Sequence, residues 1–223
     1  NNYNIMNKTK LAELIGIIIG DGNIYYNKNF RKYYFEITGD QLLENEYFEY
    51  ISDLVFSLLG KRPGIRVANR GLRLRVYSKE FVEFLINNLG MPYGEKKGIN
   101  ITIPNFIYNQ EWDILKYCIR GIMDTDGSLF LAKKSHRKDY PTIEVSTISK
   151  NLAYQLKFLL SKNYRIGFRY FSKEGITGKY VISINGEKMV DRYIKDIGFS
   201  NLRKLKIWDG RDLNPRLWKA RQI

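Results

Sequence analysis

The sequence predicts an α+β protein made of two similar αββαββα halves, related by a pseudo-twofold axis. Two observations carry that reading. The segment Leu14-Ile15-Gly16-Ile17-Ile18-Ile19-Gly20-Asp21-Gly22 is apolar until it closes on Asp-Gly, and Ile119-Arg120-Gly121-Ile122-Met123-Asp124-Thr125-Asp126-Gly127 closes the same way 105 positions later. After each segment, side-chain periodicity gives the same order of elements.

In the first half, strand-like runs over 23–28 and 32–38 flank a polar turn at Asn29-Phe30-Arg31. Tyr47, Ile51, Leu54, Val55 and Leu58 keep helical spacing, which predicts a helix over 42–59 stopped by Gly60. A hairpin over 65–69 and 72–77 turns at Arg70-Gly71, and a helix over 79–89 ends before Gly90 and Pro92. The second half repeats this order. It has a helix over 111–125, strands near 128–133 and 142–147, and a helix over 150–160. Strands over 165–171 and 179–184 and a helix over 187–197 complete it. The expected division is a first domain over 1–92, a linker over 93–110, a second domain over 111–208 and a basic tail over 209–223.

The two apolar segments read as helices that pack very closely. Gly16 and Gly20 are four apart and share a face, and Gly121 and Thr125 repeat the spacing. Glycine inside a helix costs about 1 kcal/mol relative to alanine, so the pattern needs a packing reason. Gly22 and Gly127 are expected as helix stops with positive φ. A carboxylate at a helix C-terminus faces the negative end of the dipole, which is unfavourable. If the helices run parallel, Asp21 and Asp126 meet at one end. Two such carboxylates repel unless a cation lies between them, and hard oxygen donors favour Mg²⁺.

Composition narrows the partner. Lys and Arg number 37 against 23 Asp and Glu, a net charge of +14, so a polyanion such as nucleic acid is the default partner. With 44% hydrophobic residues the chain can build real cores, and no run of 18 apolar residues marks a membrane span. The N-terminal residues lack the apolar stretch of a secretory signal. Cys118 is the single cysteine and reads as a packed side chain. His136, among Lys133, Lys134, Arg137 and Lys138, suits a solvent or phosphate contact, because one histidine supplies no ligand set.

Strand alternation places that charge. Arg73, Arg75 and Tyr77 alternate with Leu72, Leu74 and Val76, and Arg165, Gly167 and Arg169 alternate with Ile166, Phe168 and Tyr170. Arg66 opposes Ile65 and Val67, while Thr142, Glu144 and Ser146 oppose Ile143 and Val145. Each sheet therefore offers one face to its helices and one face of Arg, Tyr, Thr and Ser. A twisted antiparallel ribbon fits the major groove, where arginine reads guanine. Arg66, Arg70, Arg73, Arg75, Tyr77, Arg165, Arg169 and Lys179 are candidate base or groove contacts. Lys28, Arg31, Lys32, Lys133, Lys134, Arg137 and Lys138 are candidate phosphate contacts on or near the turns.

At the paired segments the chain resembles the LAGLIDADG homing endonucleases in their single-chain, two-motif form. The nine-residue motif falls on residues 14–22 and 119–127. Gly16 and Gly121 match its third position, and Asp21 and Asp126 its eighth, the family's metal-binding acid. Ile19 departs from the usual acid at the sixth position, and Asp124 keeps it. The likeness runs from about residue 10 to 200, and Gly198-Phe199-Ser200-Asn201 followed by basic residues also resembles the family's C-terminal region.

The resemblance implies a monomer whose sheets form a DNA-binding saddle and which hydrolyses both strands of a long, asymmetric duplex site. It implies Mg²⁺ or Mn²⁺ held by Asp21 and Asp126, with the backbone carbonyls of Gly20 and Thr125, and Ca²⁺ supporting binding without cleavage. Lys79, Lys188 and Gln41 are the candidates for its peripheral catalytic Lys or Gln. An intron-encoded, free-standing, cytoplasmic and nucleoid-associated archaeal enzyme is expected. The competing functions are an RNA maturase that assists intron splicing, with intron RNA as partner, and a non-cleaving transcription factor.

Overall fold

After its first turn helix α1 (Lys8–Gly20) is apolar but for Glu13, and every residue from Leu11 to Ile19 is buried. Such a helix has to lie at the centre of a structure. Its partner is α6 (Trp112–Thr125), whose buried side carries Leu115, Cys118, Ile119, Gly121, Ile122, Met123 and Asp124. The computed structural model describes residues 8–68, 71–94, 97–134, 137–174 and 176–209. Arg70, His136 and the expected tail from 210 onward lie outside these residues.

The glycines bring the two backbones together. A β-carbon on Gly16 would run into the carbonyl oxygen of Cys118 and lie 2.9 Å from its carbonyl carbon. One on Gly121 would meet the Glu13 carbonyl oxygen and lie 2.7 Å from the Ile17 nitrogen. One on Gly20 would lie 2.7 Å from Thr125 Cβ. Contact positions rise together along both helices, so α1 and α6 are parallel and end side by side.

Each helix turns straight into a sheet. In the first half, β1 (Gly22–Asn27), β2 (Lys32–Asp40), β3 (Gly64–Ala68) and β4 (Gly71–Tyr77) form an antiparallel sheet in the order β1-β2-β4-β3. In the second, β5 (Gly127–Lys134), β6 (Arg137–Thr147), β7 (Ile166–Lys173) and β8 (Ile176–Asn185) take the matching order β5-β6-β8-β7. The registers also correspond, with Gly22 opposite Ile37 and Gly127 opposite Val145. Helices α2 (Asn45–Leu59) and α3 (Lys79–Glu83, continued by a π-turn over Phe84–Asn88) belong to the first half. Helices α7 (Lys150–Ser161) and α8 (Glu187–Asp196) belong to the second. The αββαββα order thus occurs twice. The apolar faces of the strands, with Ile24, Phe35, Leu74, Ile143 and Ile182, join one core continuous with α1 and α6.

Three expectations change. Gly22 and Gly127 do not have positive φ; each opens a strand. They are glycines because the chain folds back on its own helix. A β-carbon on Gly22 would lie 2.5 Å from Ile18 Cα, and one on Gly127 2.6 Å from the Met123 carbonyl oxygen. Helix α2 begins at Asn45 rather than at 42, since Asp40 Oδ1 accepts from the amides of Leu42 and Leu43 and holds them in a turn. The segment between the halves contains short helices α4 (Lys97–Asn100) and α5 (Asn105–Tyr108). It buries Met91, Ile101, Ile103 and Ile107, and both main-chain groups of Ile103 bond to the Gln155 side chain of α7.

A further helix, α9 (Leu202–Asp209), was not expected and packs Trp208 into the core. No helix among the described residues is long and apolar enough to cross a membrane.

The packing makes a contrast that denaturation can measure. Gly16→Ala or Gly121→Ala should lower stability by about 1–3 kcal/mol or more, because the obstacle is backbone that cannot rotate away. Gly64→Ala, with open space around its β-carbon, should shift a urea midpoint little.

Candidate nucleic-acid interface and metal centre

The end of the helix pair is where the motif acids emerge. Asp21 follows α1 directly, and its carbonyl accepts from the Thr38 amide of β2 at 3.3 Å. Asp126 is the C-cap of α6. A β-carbon on Gly20 would lie 3.5 Å from Asp126 Cγ, so the second acid rests against the last residue of the first helix. Asp126 also lines a cavity of about 240 Å³ with Gly20, Gly98, Ser146 and Thr147. The structure therefore brings Asp21, Asp126, Gly20 and Thr125 to one place, as the motif spacing requires.

The donors there are hard oxygens. Among the described residues no group of three or more His, Cys, Asp or Glu forms an all-protein metal cage. Two carboxylates do fit Mg²⁺, which is commonly held by one or two carboxylates plus substrate phosphates and water. Thr125 is less open than expected. Its hydroxyl donates to the carbonyls of Gly121 and Ile122, and its carbonyl accepts from Lys204 Nζ at 3.2 Å. A divalent ion at that carbonyl would meet a positive charge.

The peripheral candidates divide. Gln41 stands three residues past Thr38, at the same end of β2 as Asp21, and its carbonyl accepts from Asn45 Nδ2. Lys79 is elsewhere. Its ammonium sits 5.6 Å over the ring of Tyr33 and 3.9 Å from Glu83. Tyr33 is five residues from Thr38 along β2, about 17 Å at strand rise. Lys188 is exposed in the first turn of α8, beyond the Asn185 that pairs with Thr142, three residues along β6 from the Val145 opposite Gly127. Neither lysine is gathered to the acids.

The strand alternation holds along β4, whereas Val67 of β3 and Tyr170 of β7, expected on the covered faces, are exposed. Along β4, Leu72, Leu74 and Val76 are buried while Arg73 and Arg75 are half-buried and Tyr77 is exposed. Glu36, opposite Arg75, accepts from its Nε at 2.7 Å and lies 3.7 Å from Arg73 Nη1. The Arg75 guanidinium lies 4.3 Å over the Tyr34 ring, and Tyr25, Tyr34 and Tyr77 form a row with centroids 4.9 and 5.4 Å apart. Exposed pairs of this kind stabilise by less than about 1 kcal/mol, so their effect is to fix where the guanidinium points. A groove of about 500 Å³ runs along this face between Glu36, Arg62, Arg66, Arg73, Arg75 and Tyr77. The second sheet has a simpler pair, Arg169 to Glu144 at 2.8 Å, and a cavity of about 330 Å³ beside Arg165 and Asn185.

Lys28, Arg31 and Lys32 are exposed at the β1–β2 turn, and Lys133 and Lys179 are exposed on β5 and β8. Lys134, Arg137 and Lys138 lie on strands, with side chains outside the described residues.

A buried polar cluster behind the acids was missed. Asp124, wholly buried, accepts from the amides of Ser200 and Asn201 at 3.0 Å each. Asn201 Nδ2 donates to Glu44 Oε1 of the first half, and Ser200 Oγ donates to Glu13 Oε1 of α1. Tyr50 also donates to Glu13, and Arg203 lies 3.5 Å from Glu44. Burial pushes the Asp124 carboxyl up against the pull of the two amides, and burial pushes Lys204 down against the attraction of Asp124 and Glu44. The signals in the sequence were Glu13 among the apolar residues of α1, Asp124 at the sixth motif position and the Gly198-Phe199-Ser200-Asn201 run, none of which showed that they meet.

Residues 113–198 match the family model for a LAGLIDADG-like domain. The chain carries a LAGLIDADG-like domain. It also has the fold of the single-chain LAGLIDADG homing endonucleases. The homing endonuclease I-DmoI in complex with DNA and Ca superposes with a TM-score of 0.60 at 18% identity, covering 97% of this chain and 98% of that one. Another structure of I-DmoI holds DNA and Mn. Among curated sequences, a replication factor C small subunit of Methanocaldococcus jannaschii is 31% identical over 88% of this chain and 10% of its own length. A DNA polymerase of Thermococcus sp. is 23% identical over 87% of this chain and 11% of its own length. The chain thus spans about a tenth of the length of these two relatives.

The cluster predicts its own cost. Asp124→Ala should lower stability by about 2–4 kcal/mol, because two buried amides lose their acceptor. Asp124→Asn, which keeps one acceptor oxygen, should lose less in the same urea titration.

Proposed function

We propose that the LAGLIDADG-like fold acts here as a site-specific endonuclease that hydrolyses both strands of a long, asymmetric duplex DNA site as a monomer. The observation that carries this reading is the position of the two motif acids. Asp21 and Asp126 leave adjoining ends of parallel helices where two sheets with basic faces meet. A protein that only bound DNA would gain nothing from two carboxylates at that point, since they repel phosphate.

Asp21 and Asp126 would hold the divalent ion, with the Gly20 carbonyl as a further donor. A bound divalent ion supplies charge to stabilise the transition state and lowers the pKa of a water nucleophile. The chain's own part is to fix the carboxylates, through helix packing tight enough to prevent their separation. The sheets set the register of the duplex: Lys28, Arg31, Lys32 and Lys133 by phosphate contact, and Arg73, Arg75 and Arg169 at base edges. Gln41 is the peripheral residue that its place just past β2 supports.

The relatives bear on the host element. The same stretch of about 200 residues aligns within a replication factor C small subunit and within a DNA polymerase. A segment shared by proteins of unlike function behaves as an intervening element, which favours an intein-type host over an intron.

In vitro selection for cleavage from a randomised duplex library, with Mg²⁺, tests the reading. The intact protein should recover one long asymmetric consensus cut on both strands. Asp21→Asn or Asp126→Asn should lose double-strand cleavage by 10²-fold or more, on the order expected when a charge-stabilising group is removed, yet still bind the recovered duplex in Ca²⁺. Full cleavage by either variant, or enrichment of bound but uncut DNA by all three proteins, overturns it. In the same selection Arg75→Ala should relax preference at one base-pair position by about 1–3 kcal/mol and leave distant positions alone.

A further inference from the structure

We propose that Lys204 is a positioning residue for Asp126, holding the turn that carries this acid from behind; the proposal rests on the endonuclease reading above. The last turn of a helix leaves its carbonyls without helical partners. At the end of α6 the carbonyls of Met123 and Thr125, and that of Gly127 just beyond, point to one spot. Lys204 Nζ occupies it, 2.9 Å from the Met123 oxygen, 3.2 Å from the Thr125 oxygen and in contact with the Gly127 oxygen. An ammonium has three donors, and each has a carbonyl here. The residue is 6% exposed. A lysine so deeply buried is costly unless its partners are fixed, and the negative end of the helix dipole helps to supply them.

Thr125 and Gly127 are the two neighbours of Asp126. Tying both carbonyls to one ammonium immobilises the backbone on either side of the acid. The lysine comes from α9, and the segment leading into α9 is anchored separately by the Asp124 carboxylate and by Glu44. The ammonium is thus delivered by a braced element, and all three of its carbonyl contacts belong to the second motif. A misplacement of about 1 Å costs on the order of 10²-fold in rate, so loosening this turn should harm the work of one acid and spare the other.

The test uses the duplex recovered by selection, labelled on each strand, with Lys204→Met, Lys204→Arg and Tyr50→Phe. The strand more affected by Asp126→Asn than by Asp21→Asn identifies the work of Asp126. Lys204→Met should slow cleavage of that strand by roughly 10- to 100-fold, on the scale of such a misplacement, and nicked product should accumulate. The other strand should be little changed, and binding in Ca²⁺ should be retained. Lys204→Arg should restore part of the rate. Tyr50→Phe, which removes a bond to Glu13 in the same cluster and touches no group of the second motif, should not show the strand bias.

Hydrogen exchange on the free protein gives a second readout. In Lys204→Met the amides from Asp126 to Leu129 should exchange faster while those from Gly22 to Ile24 do not. Equal slowing of both strands, or unchanged exchange at Asp126–Leu129, overturns the proposal. Should Lys204→Met fail to fold, Lys204→Gln carries the same comparison. If the intact protein cuts nothing, the endonuclease reading falls, and the exchange pattern alone decides whether Lys204 holds the Asp126 turn.

Discussion

Backbone-to-backbone contact between α1 and α6 is the constraint from which the other features follow. Helices that meet through large side chains keep their axes about 8–10 Å apart. Gly16 and Gly121 remove the side chains and let one main chain rest on the other. Because the helices are parallel and end together, closeness along their length becomes closeness at their ends, where Asp21 and Asp126 leave. The strands then start at once, so the positions of both sheets are tied to the same contact. The loss of helix propensity at these glycines is thereby offset by contact that fixes where the two acids emerge.

The second constraint is polar and lies behind the first. Glu13 and Glu44 from one half, Asp124 from the other, and Asn201 and Lys204 from the segment after α8 form a buried cluster between the halves, with Ser200 and Arg203 at its edge. Desolvation cancels much of what such groups gain from one another, so a cluster of this kind is weak evidence for stability. It does specify geometry, because each member is satisfied in one arrangement only. An apolar contact alone would allow the helix ends to slide.

Much of the architecture was legible from residue order. The Leu72–Tyr77 alternation and the helical spacing from Tyr47 to Leu58 mark their elements without outside help, and the twin Asp-Gly endings mark the helix pair. What was not legible depends on distant partners. Gly22 and Gly127 looked like helix stops because turn statistics see only neighbours in sequence, whereas their reason is contact with the preceding helical turn. Helices α4 and α5 are four residues each, too short for periodicity. Lys79 drew attention by its place after a strand, but strand length carries it away from Asp21. Lys204 was hidden for a different reason: in a chain of 37 basic residues, nothing local separates a buried lysine from one in solvent.

Ile19 and Asp124 occupy the same motif position, yet one packs in the core and the other grips a chain segment. The two halves are therefore not interchangeable parts. A symmetric dimer assembled from two first halves would keep the glycine seam but have no carboxylate to seize the C-terminal strap. One assembled from two second halves would have two carboxylates and no Glu13 or Glu44 opposite them. Reshuffling halves among relatives to combine their target preferences must therefore carry residues 199–204 along with the second motif, and their two glutamates along with the first.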